Sequence, residues 1–313
     1  MDYQRGYNAL VIRCLNDVNR QHYLRKKGGA VSGRLIICPT PIGNLGDMTL
    51  RALEELRNAD VVCAEDTRVT GRLLAHFDIQ KRLERLDEAT ITHQAAHAVK
   101  RIIEGETIAF CSDAGMPGVS DPGARLIGAA QEAGCEVTVL PGASAASTAY
   151  VASGFNNPRY YFGGFFPRKV GERRETLIGL ATLDAVLVFY ESPRRTVEAL
   201  AVVAEVFPYR EVAVCRELTK LHEEVFRALA PQVAAEFARR DTEEGIRGEI
   251  VLVIGPPAQQ ELADAVQQSS ESAAQRAQEL LEAGELSKKD IVRALRDEFG
   301  ISRNAAYELV HGA

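Results

Sequence analysis

Residues 111–123, CSDAGMPGVSDPG, combine residue types that can bind a small molecule. Glycines allow the backbone to approach a ligand closely, and carboxylates accept hydrogen bonds from hydroxyl or amino groups. Asp113 follows an apolar run, where a strand would end, and no helix begins immediately after it, so we expect it to contact a ligand. Asp121 precedes Pro122 at the predicted start of a helix, so we expect it to be structural.

Two further loops of small residues follow strand-like runs, at 38–49 (CPTPIGNLGDMT) and 141–148 (PGASAAST). The first lacks both the three-glycine dinucleotide fingerprint and the GK[ST] of a phosphate loop, which argues against a Rossmann enzyme or a nucleoside triphosphatase. Asp47 in that loop can cap the following helix without any ligand. The second loop turns a strand into a helix with Ser144 as the expected cap, and its free amides could meet polar groups of a ligand.

Apolar strand-like runs and helical patterns alternate through the first half of the chain. The strand-like runs are too uniformly apolar for a half-exposed sheet, so a largely parallel sheet covered by helices is predicted. They are RLIIC (34–38), DVVCA (60–64), TIAFC (107–111) and CEVTVL (135–140). Such a sheet would bring the loops at the strand ends to one edge, where ligands bind in open α/β sheets.

The rest of the chain indicates a second α/β domain followed by helices. Strand-like runs continue from about residue 159 to GEIVLVIG (248–255), and a short polar stretch within 211–229 predicts antiparallel pairing in a mixed or α+β sheet. We expect domains at 33–152 and 153–256, a Pro-, Gln- and Ser-containing linker at 257–272, and a helical module at 273–313. Ser287 and Ser302 are expected N-caps of a helix-turn-helix-like module, and a dimerising helical tail fits nearly as well. Residues 1–32 are expected to be a poorly ordered extension.

Composition restricts the class of protein. The chain has 313 residues, a net charge of −6 and six cysteines without metal-ligand spacing, which indicates a reducing compartment. There is no apolar stretch of about 18 residues and no secretory signal pattern, so we expect a cytoplasmic protein without a membrane segment or a metal.

The motifs TPIGNLGD, SDAGMPGVSDPG and PGASA, in this order and spacing, resemble the tetrapyrrole methylase superfamily of S-adenosylmethionine-dependent methyltransferases. FGGFFPRK (162–169), FYESPRR (189–195), CRELTKLHEE (215–224) and RGEIVLVI (247–254) resemble the branch that methylates the 2′-oxygen of cytidine 1402 in 16S ribosomal RNA of the small subunit. The resemblance covers about residues 33–255, and the C-terminal helices also resemble that family's tail. It implies a two-domain α/β fold with the cofactor in an interdomain cleft, a small C-terminal helical module, and a homodimer.

The resemblance also implies where S-adenosylmethionine binds. The contacts fall on Pro41, Asp113, Met116, Ser144 and Ala145 in the first half, and on Tyr190, Gly248 and Glu249 in the second. Without the resemblance, the pattern of residues indicates a ligand contact only for Asp113 and for the turn at Ser144.

Methyl transfer to a ribose hydroxyl needs in-line positioning and benefits from a base or a nearby cation, but requires no metal. We expect the catalytic group among Glu191, Glu217 and Lys220, with His222 and the pair Glu65–Asp66 as further candidates. Each has an alternative role: Glu191 could cap a helix, Glu217 and Lys220 could pair at a hairpin end, and His222 could be solvated.

Basic residues in the second half suggest an RNA surface. Arg194 and Arg195 follow a strand end, and Arg168 and Lys169 belong to a basic stretch that includes Arg173 and Arg174; a solvated face is an equally good interpretation. Two alternative functions remain at this point: a methyltransferase acting on a corrin or porphyrin precursor or on a protein side chain, and a non-catalytic RNA-binding assembly factor.

Overall fold

The computed structural model describes residues 33–284 and 286–311. Backbone contacts divide the chain into two compact units between Ala145 and Ala146. The expected extension at 1–32 lies outside the described residues.

Over residues 33–145 the chain forms a five-stranded parallel sheet. Its strands are β1 (Arg34–Ile37), β2 (Val61–Ala64), β3 (Leu83–Arg85), β4 (Ile108–Cys111) and β5 (Glu136–Val139), in the order β3-β2-β4-β1-β5. Every neighbouring pair is parallel, as the alternating pattern predicted. The intervening helices are α1 (Leu50–Asn58), α2 (Thr67–His76), α3 (Ile91–Ile103) and α4 (Gly123–Glu132).

Successive side chains of these strands enter different cores. Leu35 and Ile37 belong to one buried apolar cluster, whereas Ile36 and Cys38 belong to another. Because side chains alternate along a strand, the two clusters lie on opposite faces of the sheet. Burial on both faces explains why these strands read as continuous apolar runs.

The second unit contains a mixed sheet, which confirms the expected antiparallel pairing. Within the described residues it has β6 (Tyr160–Phe165), β7 (Val186–Glu191), β8 (Glu211–Arg216), β9 (Glu224–Leu229) and β10 (Ile250–Ile254), in the order β6-β7-β10-β8-β9. The pair β6–β7 is parallel and the other pairs are antiparallel. Helices α6 (Val170–Gly179), α7 (Thr196–Val206) and α8 (Ala230–Glu243) supply residues to one core with the sheet.

Helix α5 (Ala145–Ala152) groups with the second unit apart from its first residue, whereas the expected boundary lay after 152. Its own contacts give the reason. The ring of Tyr150 stacks on that of Tyr160 with centroids 4.7 Å apart, and the Cys215 thiol donates to the carbonyl of Ala149. These contacts attach the helix to strands β6 and β8.

Three helices complete the described chain: α9 (Gln259–Ala283), α10 (Lys288–Phe299) and α11 (Arg303–His311). They share a small apolar core of Ala277, Ile291, Leu295, Ala306 and Val310. Oγ of Ser287 accepts from the amide of Asp290 and Oγ of Ser302 from that of Ala305, which confirms both expected N-caps. Most of the expected linker at 257–272 is helical and belongs to α9, because Gln, Glu and Ala favour helix once Pro257 is passed.

Candidate functional site

The loops singled out in the first unit come together at one edge of its sheet. They follow β1, β4 and β5, and the pair Glu65–Asp66 follows β2. Because all the strands are parallel, their carboxyl ends lie on the same side, and β2, β4, β1 and β5 are successive neighbours. This is the edge at which open α/β sheets bind ligands.

Backbone contacts hold these loops against one another. Thr40 and Gly115 exchange two amide-to-carbonyl hydrogen bonds of 3.0 Å, and Oγ1 of Thr40 donates to the carbonyl of Ser112 at 3.2 Å. A Cβ on Gly142 would lie 2.4 Å from Cβ of Pro39, so the loop after β5 packs on the loop after β1 only because residue 142 is glycine. The edge is therefore a preformed, closely packed set of loops.

Asp113 lies exposed at this edge, directly beyond β4. Its Oδ1 accepts a 2.9 Å hydrogen bond from the amide of Asp66, whose own side chain caps α2 by accepting from the amide of Arg68. Glu65 is half-buried nearby: burial raises the pKa of this carboxyl, and the negative charges of Asp113 and Asp121 raise it further. The edge thus carries concentrated negative charge, which suits a ligand with amino or hydroxyl groups.

Asp121 has the structural role expected of it. Its Oδ1 accepts from the amides of Gly118 at 2.9 Å and Gly123 at 2.8 Å, which closes the loop before α4. The other residues assigned to the cofactor in this unit, Pro41, Met116, Ser144 and Ala145, lie half-buried in the loops after β1, β4 and β5 or at the start of α5. The Asp113 carboxylate can accept from the amino and hydroxyl groups of S-adenosylmethionine, and amides at the start of α5 can donate to its carboxylate.

The second unit also gathers its candidates at one edge of its sheet. Strands β6, β7 and β8 run in the same direction, and β10 runs in the opposite direction, with Ile250 between Glu191 and Arg216. The carboxyl ends of β6, β7 and β8 therefore lie beside the start of β10. This places the basic loops, the Glu217–Lys220 turn and Gly248–Glu249 at the same edge.

The side chain of Glu191 is enclosed and bonded to protein groups, which favours a positioning role over the expected catalytic one. Its side chain is fully buried, Oε1 accepts from the amide of Ser192 at 2.7 Å and lies 2.6 Å from Nη2 of Arg195, and Oε2 faces Arg173. Arg173 is also fully buried, so it is not part of a basic surface; its Nε donates to the carbonyl of Pro167 at 2.7 Å. These bonds join the loop after β6 to the loop after β7.

Glu217 and Lys220 form an ion pair, which the sequence analysis gave as the alternative to a catalytic role. Nζ of Lys220 donates to Oε1 of Glu217 at 2.8 Å and lies 3.2 Å from Oε2 of Glu249. The Lys220 ammonium, and the amide of Glu249 that also donates to Oε1, hold the pKa of Glu217 below its usual value. Glu217 has φ +52°, and a Cβ on Gly248 (φ +92°) would lie 2.5 Å from its Cγ. Gly248 therefore makes room for this carboxylate.

Tyr190 and His222 occupy different environments. Tyr190 is half-buried in β7, where burial raises the pKa of its phenol. His222 is exposed in the turn between β8 and β9.

The basic residues divide into paired and unpaired groups. Lys169 lies 2.7 Å from Glu172, Arg174 pairs with Glu205, and Arg195 is bound to Glu191. Among the ion pairs of the described residues, none involves Arg168 or Arg194, and both are exposed. In the loops after β6 and β7 the available positive charge is therefore smaller than the sequence suggested, and Arg168 and Arg194 carry the charges there that no ion pair of the described residues compensates.

Arg173 was missed as a structural residue because its sequence neighbours are basic. The usable signal was its spacing of four from Leu177, since residues i and i+4 share a helix face and Leu177 is buried.

Two properties of the described chain bear on its class. Among residues 33–284 and 286–311, no helix combines the length and the apolar character needed to cross a membrane. The same residues do not bring three or more His, Cys, Asp or Glu side chains together in a way that could hold a metal ion.

Comparison with known proteins gives a consistent result. A family model described as Tetrapyrrole (Corrin/Porphyrin) Methylases matches residues 34–234. A protein of Halalkalibacterium halodurans named ribosomal RNA small subunit methyltransferase I is 38% identical over 279 residues, which cover 89% of this chain and 95% of that protein. A protein of the same name from Escherichia coli O157:H7 is 39% identical over 280 residues, with 88% and 94% covered.

Solved structures agree at the level of the fold. A diphthine synthase superposes with a TM-score of 0.56 at 14% identity, covering 71% of this chain and 90% of that one. A uroporphyrin-III C-methyltransferase from Thermus thermophilus superposes with a TM-score of 0.51 at 21% identity, covering 71% and 94%.

Proposed function

This chain belongs to the tetrapyrrole methylase family and, within it, to the ribosomal RNA small subunit methyltransferases I, and from that premise we propose that it methylates 16S ribosomal RNA. The specific reaction proposed is transfer of a methyl group from S-adenosylmethionine to the 2′-oxygen of cytidine 1402. The likeness to proteins of that name over most of the chain carries the proposal. The resemblance further leads us to propose a cytoplasmic homodimer.

We propose that the loop edge of the first unit holds the cofactor. S-adenosylmethionine supplies an electrophilic methyl group when bound. Asp113 would accept from its hydroxyl or amino groups, and Pro41, Met116, Ser144 and Ala145 would pack around it. The interlocked loops support this assignment, because a rigid site does not lose binding energy to ordering its own backbone.

The second unit is proposed to meet the RNA. Arg168 and Arg194 would bind phosphates, because they are exposed and their charges are uncompensated by ion pairs of the described residues. Lys169 and Arg195, also assigned to RNA, are held by Glu172 and Glu191, so their contribution is proposed to be smaller. Tyr190, Gly248 and Glu249 are retained from the resemblance as cofactor contacts.

Glu217 and Lys220 are proposed to act on the reacting hydroxyl. Because Glu217 is already bonded to Lys220 and its pKa is lowered, it is a weak base. Lys220 is therefore the stronger candidate: its ammonium can stabilise negative charge that develops on the ribose oxygen.

The proposal is tested by incubating the protein with labelled S-adenosylmethionine and one of three acceptors: unmodified small ribosomal subunits, free 16S rRNA, or a porphyrin precursor. We expect label in the RNA of one or both ribosomal samples. Label confined to the porphyrin precursor would assign the chain to another activity of its family. No label in any acceptor would favour a non-catalytic RNA-binding factor.

A further inference from the structure

Strand β6 contains an irregularity that decides which of its aromatic side chains faces solvent. Up to Phe162 the strand pairs in register with β7, but Phe165 lies opposite Tyr190, so Gly163 and Gly164 together face a single residue. Gly164 has φ +69°, a conformation that favours glycine. This is a β-bulge, an insertion that changes the direction of the side chains after it.

The bulge separates the roles of two adjacent phenylalanines. Phe166 is 1% exposed, and its ring lies 4.7 Å from that of Phe189 in the core. Phe165 is 60% exposed. Since side chains alternate along a strand, one residue fewer before them would reverse which of the two faces the core.

Phe165 is exposed but firmly supported. Its ring packs edge-to-face on Tyr190 with centroids 5.5 Å apart, and Phe162 contacts the same tyrosine at 4.8 Å. A large aromatic face is therefore held in a defined position at low conformational cost.

The loop that follows Phe165 and the loop that follows its partner Tyr190 each carry one exposed arginine that appears in no ion pair of the described residues. Arg168 follows Phe165 by three residues, and Arg194 follows the end of the adjacent parallel strand. The buried pair Arg173–Glu191 fixes both loops, because Arg173 also binds the carbonyl of Pro167. Aromatic faces beside cations are the combination that binds unstacked nucleotides, with the ring contacting the base and the cations contacting phosphate.

We propose that Phe165 is a stacking platform for an unstacked base of the RNA substrate. This inference rests on the proposed function. Access of an enzyme to a ribose hydroxyl is easier when the nucleotide leaves its stack, and a protein ring replaces part of the stacking that the base gives up.

The test compares Phe165→Ala, Phe165→Leu and Phe165→Trp in methyl transfer to unmodified small ribosomal subunits, with subunit concentration varied. We expect kcat/KM to fall about 5- to 100-fold in the alanine and leucine variants and to stay near the wild-type value in the tryptophan variant. Tyr209→Ala is the matched control, because Tyr209 is 55% exposed and precedes β8, at the opposite edge of the same sheet. Tyr209→Ala is expected to have the wild-type kcat/KM.

Other outcomes would overturn the proposal. A wild-type kcat/KM in Phe165→Leu would show that any apolar side chain suffices. A wild-type kcat/KM in Phe165→Ala would show that the ring has no role in the reaction. A loss of S-adenosylmethionine affinity in Phe165→Ala as large as its loss of kcat/KM, measured by calorimetry, would assign the whole effect to the cofactor site. A changed mass in analytical ultracentrifugation would place the ring at an interface between copies. Failure of the wild-type protein itself to methylate the subunits or free rRNA would instead reject the proposed function.

Discussion

Glu191 and Arg173 face each other in the interior of the second unit, with Oε2 3.5 Å from Nη2 and both side chains fully buried. The pair lies at the point where the loops after β6 and β7 meet. Arg195 binds the second oxygen of Glu191, and Glu198 binds a second nitrogen of Arg173. The sequence placed these residues among catalytic and RNA-binding candidates, whereas their burial makes them positioning residues for the exposed side chains of the two loops.

Glu191→Gln should therefore destabilise the protein strongly. Removing one charge from a buried pair leaves the other without full compensation, and we expect a loss of about 3 kcal/mol in the free energy of unfolding. Urea denaturation followed by circular dichroism measures this. Glu205→Gln is the matched control, since it removes an exposed partner of Arg174 and should change stability far less. Equal effects of the two substitutions would contradict a positioning role for the buried pair.

Asp113 is expected to determine cofactor affinity. Asp113→Ala should weaken S-adenosylmethionine binding about 10- to 100-fold in calorimetry, because a charged hydrogen-bond acceptor is removed. Asp113→Asn keeps an oxygen that can accept from the amide of Asp66 and should weaken binding less. It should also lower the pKa of Glu65, which the Asp113 charge raises, and carbon NMR of the carboxyl groups would record this. Unchanged affinity in both variants would remove Asp113 from the site.

The Glu217–Lys220 pair predicts a pH dependence. Lys220 lowers the pKa of Glu217 below its ordinary value of 4.5, so Lys220→Met should raise that pKa in an NMR titration. A lowered pKa in the folded state stabilises the fold above pH 4.5 and ceases to do so as the pH falls through the lowered value. The stability difference between wild type and Lys220→Met should thus be present at neutral pH and shrink in acid. Lys169→Met, which removes an exposed ion pair, should leave the pKa of Glu217 unchanged. If Lys169→Met also shifted that pKa, the effect of Lys220 would not be local.

Arg168 and Arg194 are expected to bind phosphates of the RNA. The double substitution to glutamine should weaken RNA binding and reduce the slope of log affinity against log salt by about 0.7–0.9 for each phosphate that is no longer neutralised. Fluorescence anisotropy with 16S rRNA fragments at several salt concentrations measures both effects. Arg239→Gln is the control, because Arg239 is paired with Glu236 and Glu243 on α8. If the slope were the same in wild type and double variant, these arginines would be a solvated surface only.

Structural features that depend on the local pattern of residues could be predicted from the sequence. Uniform apolar runs such as 60–64 predicted strands buried on both faces, and Ser287 and Ser302 predicted caps that the structure contains. The position of Asp113 just beyond β4 was predictable because the end of a strand and the absence of a following helix are both visible in sequence.

Other features depend on contacts between distant residues and were not predictable. The burial of Arg173 is decided by Glu191, 18 residues away, and by Glu198. The Gly163–Gly164 pair suggests a bulge, but the sequence does not say whether Phe165 or Phe166 then faces solvent. That choice depends on which face of the sheet the helices cover, and Phe166 lies on the covered face.

The central claim is methylation of a ribose oxygen in 16S rRNA, and the chemical position of the methyl group tests it most directly. Subunits labelled with radioactive S-adenosylmethionine would be hydrolysed in alkali, which cleaves RNA only next to a free 2′-hydroxyl. We expect the label in a single alkali-stable dinucleotide beginning with 2′-O-methylcytidine. Label in ordinary mononucleotides would show methylation of a base and contradict the claim.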